Sequence, residues 1–397
     1  MTRSNPPLPE ETGAGPEVVE LIPARQGGHE YPVRVGGGVA ELLAGFAEEH
    51  DRLALVSSAP VLRTRHGKAV RERLAATGRL GLVHVLPDGE RGKTLGELER
   101  AATALLRAGL TRRSLVVALG GGAVTDAAGF LAATYMRGLP WVAVPTTLLA
   151  MVDAAIGGKT AVNLPLAKNA VGAFHPPEAV LADPATLATL PARELASGKG
   201  EVMKYGALQP ALLASFAERS GGAIPDPAVI AACARMKVDV VEADPREKGP
   251  RKLLNLGHTF GHGVEAAGKL SRYTHGEAVS IGLAFAFRLA RQLGRVGDDA
   301  VAAVEAALSG VGLPTRVPAA IARAGTKLMA FDKKRGEDGL LWVLPRADAG
   351  SWVVEWDVRV EPGAVEATVA EIVAAPGRSA ARPGSRSRAK ARRKAAR

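Results

Sequence analysis

A parallel-sheet α/β domain followed by a mainly helical domain is the architecture this sequence predicts, and three observations predict it. From Val18 to about Asp183, short β-branched runs alternate with amphipathic helical patterns, which indicates crossover units and a largely parallel sheet. From about Pro184 the strand signal fades and long helical patterns take over. The chain has 397 residues, 47% hydrophobic and 23% charged, enough for two cored domains.

In order along the chain, residues 1–16 are Pro-rich and polar and are expected to be disordered. The α/β domain is expected over 17–184. Its strands are RLALVSS, GLVHVLP, SLVVALGGG and WVAVPTT, with TLGELERAATALLRAGL as a clear helix between them. The helical domain is expected over 185–375. Its helices lie in ATLATLPARELASGKGEVMKYGALQ, AVIAACARMKVDVVEADPRE, the histidine-bearing LLNLGHTFGHGVEA and EAVSIGLAFAFRLARQLG, followed by one late strand pair, GLLWVLPR and SWVVEWDVRV. A cleft is expected between the two domains.

Residues 376–397 carry nine Lys or Arg and no acid, so removing them from a formal charge of +11 leaves +2. The body of the chain is therefore not a nucleic-acid-binding domain by charge, and the tail reads as a basic, disordered appendage with no specific nucleic-acid partner. No apolar run reaches the roughly 18 residues of a membrane span, and the first residues lack a signal peptide's apolar stretch. A cytoplasmic protein is expected. Cys233 is the single cysteine, which excludes an intramolecular disulfide and a thiolate-rich metal site. Any zinc here must be held by histidine and carboxylate.

Two glycine-bearing strand ends come in succession. SLVVALGGG runs through Gly120, Gly121 and Gly122 into a helix containing Asp126. Glycines at such a turn let a phosphate approach the backbone, and the helix start supplies free N–H groups. The motif is not GxGxxG, and a tight turn needing glycine for its own geometry explains the same residues. The next strand ends in VAVPTTLLAMVDAAIGGKTAVN, with Thr146, Thr147, Asp153 and Lys159. Paired polar strand ends of this kind are where an open parallel sheet binds ligands, so a Rossmann-like nucleotide site is expected.

Three of the eight histidines fall within eighteen positions. His258 and His262 are four apart and share a helix face, and His275 begins the next helical pattern. Thr259 follows His258, so this is not the HExxH of a zinc protease. A carboxylate ligand is then wanted, and PARELASGKGEVMKYG offers Glu194 and Glu201, with Lys204 one turn further. Spacing does not choose between them. Cations recur beside these elements, at Arg137, Lys159, Lys168, Lys204, Lys237, Arg251, Lys333 and Lys334, which suggests an anionic substrate carrying phosphate or carboxylate.

Together these segments resemble the 3-dehydroquinate synthase family of sugar-phosphate cyclases. PDGERGKTL, GGGAVTDAAGF, YMRG, VPTTLLAMVDAAIGGKTAVN, LAKNAVGAFHPP (expected as a turn), PARELASGKGEVMKYG, LLNLGHTFGHGVEA, HGEAV and DKK match in order across residues 85–335. The resemblance implies zinc or cobalt held by Glu201, His258 and His275, with His262 released to the substrate. It implies NAD bound by Gly120, Gly121, Gly122, Asp126, Thr146 and Thr147, with Glu90 and Lys93 beside it. It implies catalytic roles for Lys159, Lys204, Lys237, Arg251, Asn255 and His262, and substrate contacts from Asp153, Lys168, Asn169, Glu247 and one of Lys333 or Lys334. Arg137 would reach the substrate phosphate of a neighbouring subunit, implying a homodimer. The implied reaction turns 3-deoxy-D-arabino-heptulosonate 7-phosphate into 3-dehydroquinate and phosphate. The sequence departs from the family pattern at Lys199–Gly200, at Thr125, and at Ser57–Ser58, where an acid near the adenosine ribose is common.

Overall fold

Leu53–Ser58, Leu115–Gly120 and Trp141–Pro145 are buried at every position, as strands covered by helices on both faces must be. The computed structural model describes residues 18–268, 272–333 and 340–373. Its strands are β1 (Val18–Gln26), β2 (His29–Gly36), β3 (Leu53–Ser58), β4 (Leu80–Leu86), β5 (Leu115–Gly120), β6 (Trp141–Pro145), β7 (Lys159–Leu164), β8 (Ala167–Phe174), β9 (Ala179–Ala182), β10 (Leu341–Asp348) and β11 (Ser351–Arg359). Among the described residues a seven-stranded sheet runs β1-β2-β9-β6-β5-β3-β4. It is parallel apart from antiparallel β1 at its edge.

The chain leaves β3 for β4 on one side and comes back to β5 on the other. That reversal opens a crevice at the carboxyl ends of β3 and β5, where Ser57, Ser58 and Gly120 lie. Alternate side chains serve two cores. Leu53, Leu55, Leu115, Val117 and Val142 pack with Leu43 and Leu74 of the outer helices. Ala54, Val56, Val116, Ala118 and Ala143 join a core that runs without a break into the helical half, through Met203, Phe260 and Phe285.

The four strands expected around the glycine turns are β3 to β6, and the late strand pair is the antiparallel hairpin β10–β11. One expectation is corrected. LAKNAVGAFHPP is not simply a turn, because Ala167–Phe174 forms β8, paired antiparallel with β7. Its residues Lys, Asn, Gly and Ala are weak strand formers, and the hairpin is held by pairing rather than by propensity. The expected tails, 1–16 and 376–397, lie outside the described residues. No described helix is long and apolar enough to cross a membrane.

In the helical half, the helix His275–Gln292 is the reference for everything around it. Thr274 starts it with a capping box, its hydroxyl accepting from the Glu277 amide while the Glu277 carboxylate accepts from the Thr274 amide. Two of its glycines touch neighbouring backbone. A Cβ on Gly276 would sit 1.8 Å from the Ser197 carbonyl oxygen, and one on Gly282 would sit 1.8 Å from that of Gly257. The first contact sets the helix Ala192–Leu208 and the second sets the start of the helix His258–Ala267. Gly200 belongs to the first crossing, since its Cβ would meet the Gly276 carbonyl oxygen at 2.3 Å. Lys199 beside it is buried and donates to the Gly222 carbonyl at 2.8 Å. Gly282→Ala is therefore expected to cost at least about 1–3 kcal/mol by overpacking. A denaturation midpoint equal to that of the unaltered chain would refute the close approach.

Candidate active site

Glu201, on the helix Ala192–Leu208, is only 1% exposed. Its Oε1 lies 3.4 Å from His258 Nε2 and 3.2 Å from His275 Nε2, and one donor atom from each of the three lies within 4.8 Å of the others. Neither carboxylate oxygen has a hydrogen bond of good geometry, although Oε2 faces Lys204 Nζ at 2.5 Å. The far ring nitrogens are engaged: His258 Nδ1 faces the Leu256 carbonyl at 3.2 Å, and His275 Nδ1 faces Glu265 Oε2 at 3.2 Å. An N–H donating at Nδ1 leaves the Nε2 lone pair free, the usual arrangement of metal-binding histidine. Two imidazoles and one buried, under-bonded carboxylate fit a zinc or cobalt ion with a position left open.

The electrostatics agree. Burial lowers the His275 pKa, but the neighbouring Glu201 and Glu265 carboxylates outweigh it and raise it to about 9. The pocket thus attracts positive charge. His262 faces the same space, its ring centroid 5.3 Å from that of His258. Surrounding protein atoms and the two neighbouring imidazoles keep it neutral at physiological pH. Of the two candidate glutamates only Glu201 joins the histidines; Glu194 is exposed in the first turn of its helix.

A second cluster adjoins the triad. Asp153, from the segment after β6, accepts from Lys204 Nζ at 2.7 Å and from Lys237 Nζ. The two lysines come from different helices, Ala192–Leu208 and Pro227–Ala243. Burial lowers the Lys237 pKa to about 8, beyond what Asp153 restores. Lys159, opening β7, pairs with Glu247, which also accepts from Asn255 Nδ2 at 2.9 Å. Lys168, on β8, pairs with Glu265 at 2.7 Å. The fully buried Arg251 donates to the carbonyls of Pro245 and Gly157 at 2.9 and 3.1 Å, leaving Nε without a partner. Glu247, Asn255, His258 and His262 line a cleft of about 600 Å³ on the helical side.

The glycine turn sits at the sheet's switch point, with Thr146 N–H donating to the Gly120 carbonyl at 2.9 Å. A Cβ on Gly121 would meet Thr147 at 2.8 Å, so packing alone accounts for part of this glycine. Lys93 is buried and donates to Asp126 Oδ2 at 2.7 Å and to Asn169 Oδ1 at 2.6 Å, tying the glycine helix to the hairpin. Glu90 accepts from Asn163 Nδ2 at 2.6 Å. Ser57 is buried and spends its hydroxyl on the Leu119 carbonyl at 2.7 Å. Thr125 is likewise turned inward, donating to the Gly122 carbonyl at 3.1 Å.

Arg137 is exposed and makes no ion pair with any described residue; it follows Met136 in a left-handed bend, with φ of 48° and 69° for the pair. Asn169 and Glu247 also have positive φ, 53° and 57°. Strained backbone of this kind gathers at ligand sites. Lys333 ends the helix Ala319–Lys333, and its side chain and all of Lys334 lie outside the described residues.

Three residues escaped the sequence reading. Glu265 follows His258 by seven positions on the same helix face, a spacing that was there to be used. Asn163 joins Glu90 to the hairpin, accepting from the Asn169 amide at 2.9 Å. Asp244 accepts from the amides of Lys248, Gly249 and Arg251 and so shapes the Glu247 loop. Neither of these two carries a spacing signal.

Residues 83–197 match the family model described as 3-dehydroquinate synthase N-terminal, and 198–335 match 3-dehydroquinate synthase C-terminal. The 3-dehydroquinate synthase of Geobacter metallireducens is 42% identical over 348 residues, covering 85% of this chain and 96% of that one. The chain belongs to the 3-dehydroquinate synthase family. Solved structures of sugar-phosphate cyclases share the fold. A 2-deoxy-scyllo-inosose synthase complexed with carbaglucose-6-phosphate, NAD+ and Co2+ aligns with a TM-score of 0.76 at 26% identity, covering 89% of this chain and 100% of that one. The 2-epi-5-epi-valiolone synthase of Streptomyces hygroscopicus subsp. jinggangensis 5008, with NAD+ and Zn2+ bound, aligns at 0.75 and 27%, covering 86% and 96%. In the 3-dehydroquinate synthase family assignment, the boundary between the two matched models falls inside the helix Ala192–Leu208, just before Glu201.

Proposed function

We propose that this chain converts 3-deoxy-D-arabino-heptulosonate 7-phosphate to 3-dehydroquinate and phosphate, working as a cytoplasmic homodimer. The observation that carries the reading is the meeting of a Glu201–His258–His275 donor set with a lysine-rich cluster beside a glycine turn. Bound there, a divalent metal would acidify the substrate hydroxyl, and NAD would take up hydride and return it within one turnover.

The residues of this chain divide the remaining work. Glu201, His258 and His275 hold the metal, while Gly120 to Gly122, Asp126, Thr146 and Thr147, with Glu90 and Lys93, form the dinucleotide side. Lys204 and Lys237, pinned by Asp153, present N–H donors to substrate oxygens, joined by Asn255 and His262. Lys159, Asn169 and Arg251 are assigned to the carboxylate, and Lys168, with one of Lys333 or Lys334, to the remaining anionic oxygens. Three acids beside the donor set are clamped by cations: Asp153 by two lysines, Glu247 by Lys159 and Glu265 by Lys168. Clamped carboxylates are poor bases, which favours a phosphate oxygen of the substrate as acceptor of the proton lost during elimination.

The test mixes metal-loaded protein with the heptulosonate phosphate and substoichiometric NAD. Many phosphates released per NAD, with no steady NADH, is the expected result. NADH accumulating with turnover would mean a plain dehydrogenase, and no phosphate release would point to a cyclase acting on another sugar phosphate.

Two further outcomes follow from the same assignment. With Lys237 losing its proton near pH 8, kcat/KM for the anionic substrate should decline above about pH 8; a flat profile to pH 9.5 would remove Lys237 from the anion site. If Arg137 serves the partner's site, mixing inactive Arg137→Ala and Lys204→Ala proteins should restore about a quarter of full activity, because half the dimers are mixed and each has one complete site. No recovery after subunit exchange would place Arg137 in its own subunit's site.

A further inference from the structure

Glu265 stands between the β7–β8 hairpin and His275 of the donor set. One oxygen accepts from Lys168 Nζ at 2.7 Å, on β8 of the β7–β8 hairpin, and the other faces His275 Nδ1 at 3.2 Å. Its side chain is 11% exposed, against 41% for Lys168, so the carboxylate is fixed and the lysine reaches in to it. On the opposite face of the same short helix, Phe260 stacks on Phe285 with centroids 4.0 Å apart, so the helix that carries Glu265 is itself anchored to the helix that carries His275. The carboxylate is therefore held where it meets the ring and the lysine together.

We propose that Glu265 is a positioning residue that couples the β7–β8 hairpin to the metal centre. One oxygen holds His275 in the tautomer and ring orientation that point Nε2 at the ion. The other docks the hairpin through Lys168, so that metal loading and hairpin docking favour one another. The inference rests on the reading of Glu201, His258 and His275 as a metal site. An outer carboxylate of this kind typically contributes about 10–100-fold to metal affinity, and linkage makes its second partner share in that effect.

The test uses the full chain, with zinc affinity measured by chelator competition, the visible spectrum of the Co2+ form, and amide exchange over residues 159–174 with and without metal. Glu265→Ala is expected to weaken zinc binding about 10–100-fold, to alter the Co2+ spectrum, and to abolish the metal-dependent part of the hairpin's protection. Glu265→Gln keeps an acceptor oxygen and should recover part of the affinity; it also serves if the alanine variant does not fold. Lys168→Ala should lose the metal-dependent protection while the Co2+ spectrum stays as in the unaltered chain. Unchanged zinc affinity and spectrum in both Glu265 variants would overturn the inference while leaving the metal site standing. Failure of the unaltered chain to bind metal, or undiminished binding by Glu201→Ala, would instead overturn the metal-site reading, and this inference with it.

Discussion

Glu201→Ala is expected to abolish tight metal binding and to lower kcat/KM on the order of 10³-fold or more, beyond the ~10–100-fold typical of an outer-shell partner. Glu201 is the point at which both imidazole Nε2 atoms converge, at 3.4 and 3.2 Å. Removing its charge also removes part of what raises His275 to about 9, so the two histidines lose their reason to face the same spot. The fold should survive, because Lys204 retains Asp153 at 2.7 Å. Equilibrium dialysis against zinc, read beside phosphate release, decides the matter: a variant that keeps one tightly held zinc and near-normal turnover would remove Glu201 from the donor set.

Asp153→Asn should be the most destabilising of the polar substitutions. Its carboxylate sits between the ammonium groups of Lys204 and Lys237, which are 1% and 8% exposed. Breaking a buried pair by removing one partner costs about 3–5 kcal/mol, because the other charge is left uncompensated. The burden will fall unequally. Lys204 still has Glu201 at 2.5 Å, whereas Lys237, already lowered by burial to about 8, has lost the one group that most raised it. It should shed its proton near neutral pH, which softens the stability loss but takes a donor from the site. Denaturation midpoints and kcat/KM are both expected to drop, and an unchanged pair of values would mean that Asp153 does not hold the lysines.

Much of this was legible in the residues themselves, for reasons that differ by element. The central strands were readable because burial on both faces makes them continuous apolar runs, as in LVVALG. The histidine helix was readable because His258 and His262 share a face by spacing alone. The β7–β8 hairpin was not, since its residues are half exposed and depend on pairing with each other. Nor could spacing choose Glu201 over Glu194, which share a helix face; the choice is made by the Gly276 crossing, which only the folded chain displays. Arg251 shows a further limit. Its sequence context gave no sign that two of its nitrogens serve the carbonyls of Pro245 and Gly157 while Nε is left without a hydrogen-bond partner.

The clamped acids bear on which molecules the cleft welcomes. In the ion-paired clusters around the donor set five cations, Lys159, Lys168, Lys204, Lys237 and Arg251, face four carboxylates, Asp153, Glu201, Glu247 and Glu265. Among these nine groups the surplus is one positive charge, and a divalent ion at the donor set would add two more. A phosphate monoester near its dianion and one carboxylate carry about three negative charges between them. An acidic sugar phosphate would therefore offset more of that positive charge than a sugar phosphate without the carboxylate. The charge of these clusters would favour the acidic ligand over the smaller anion before any single contact to the carboxylate is made.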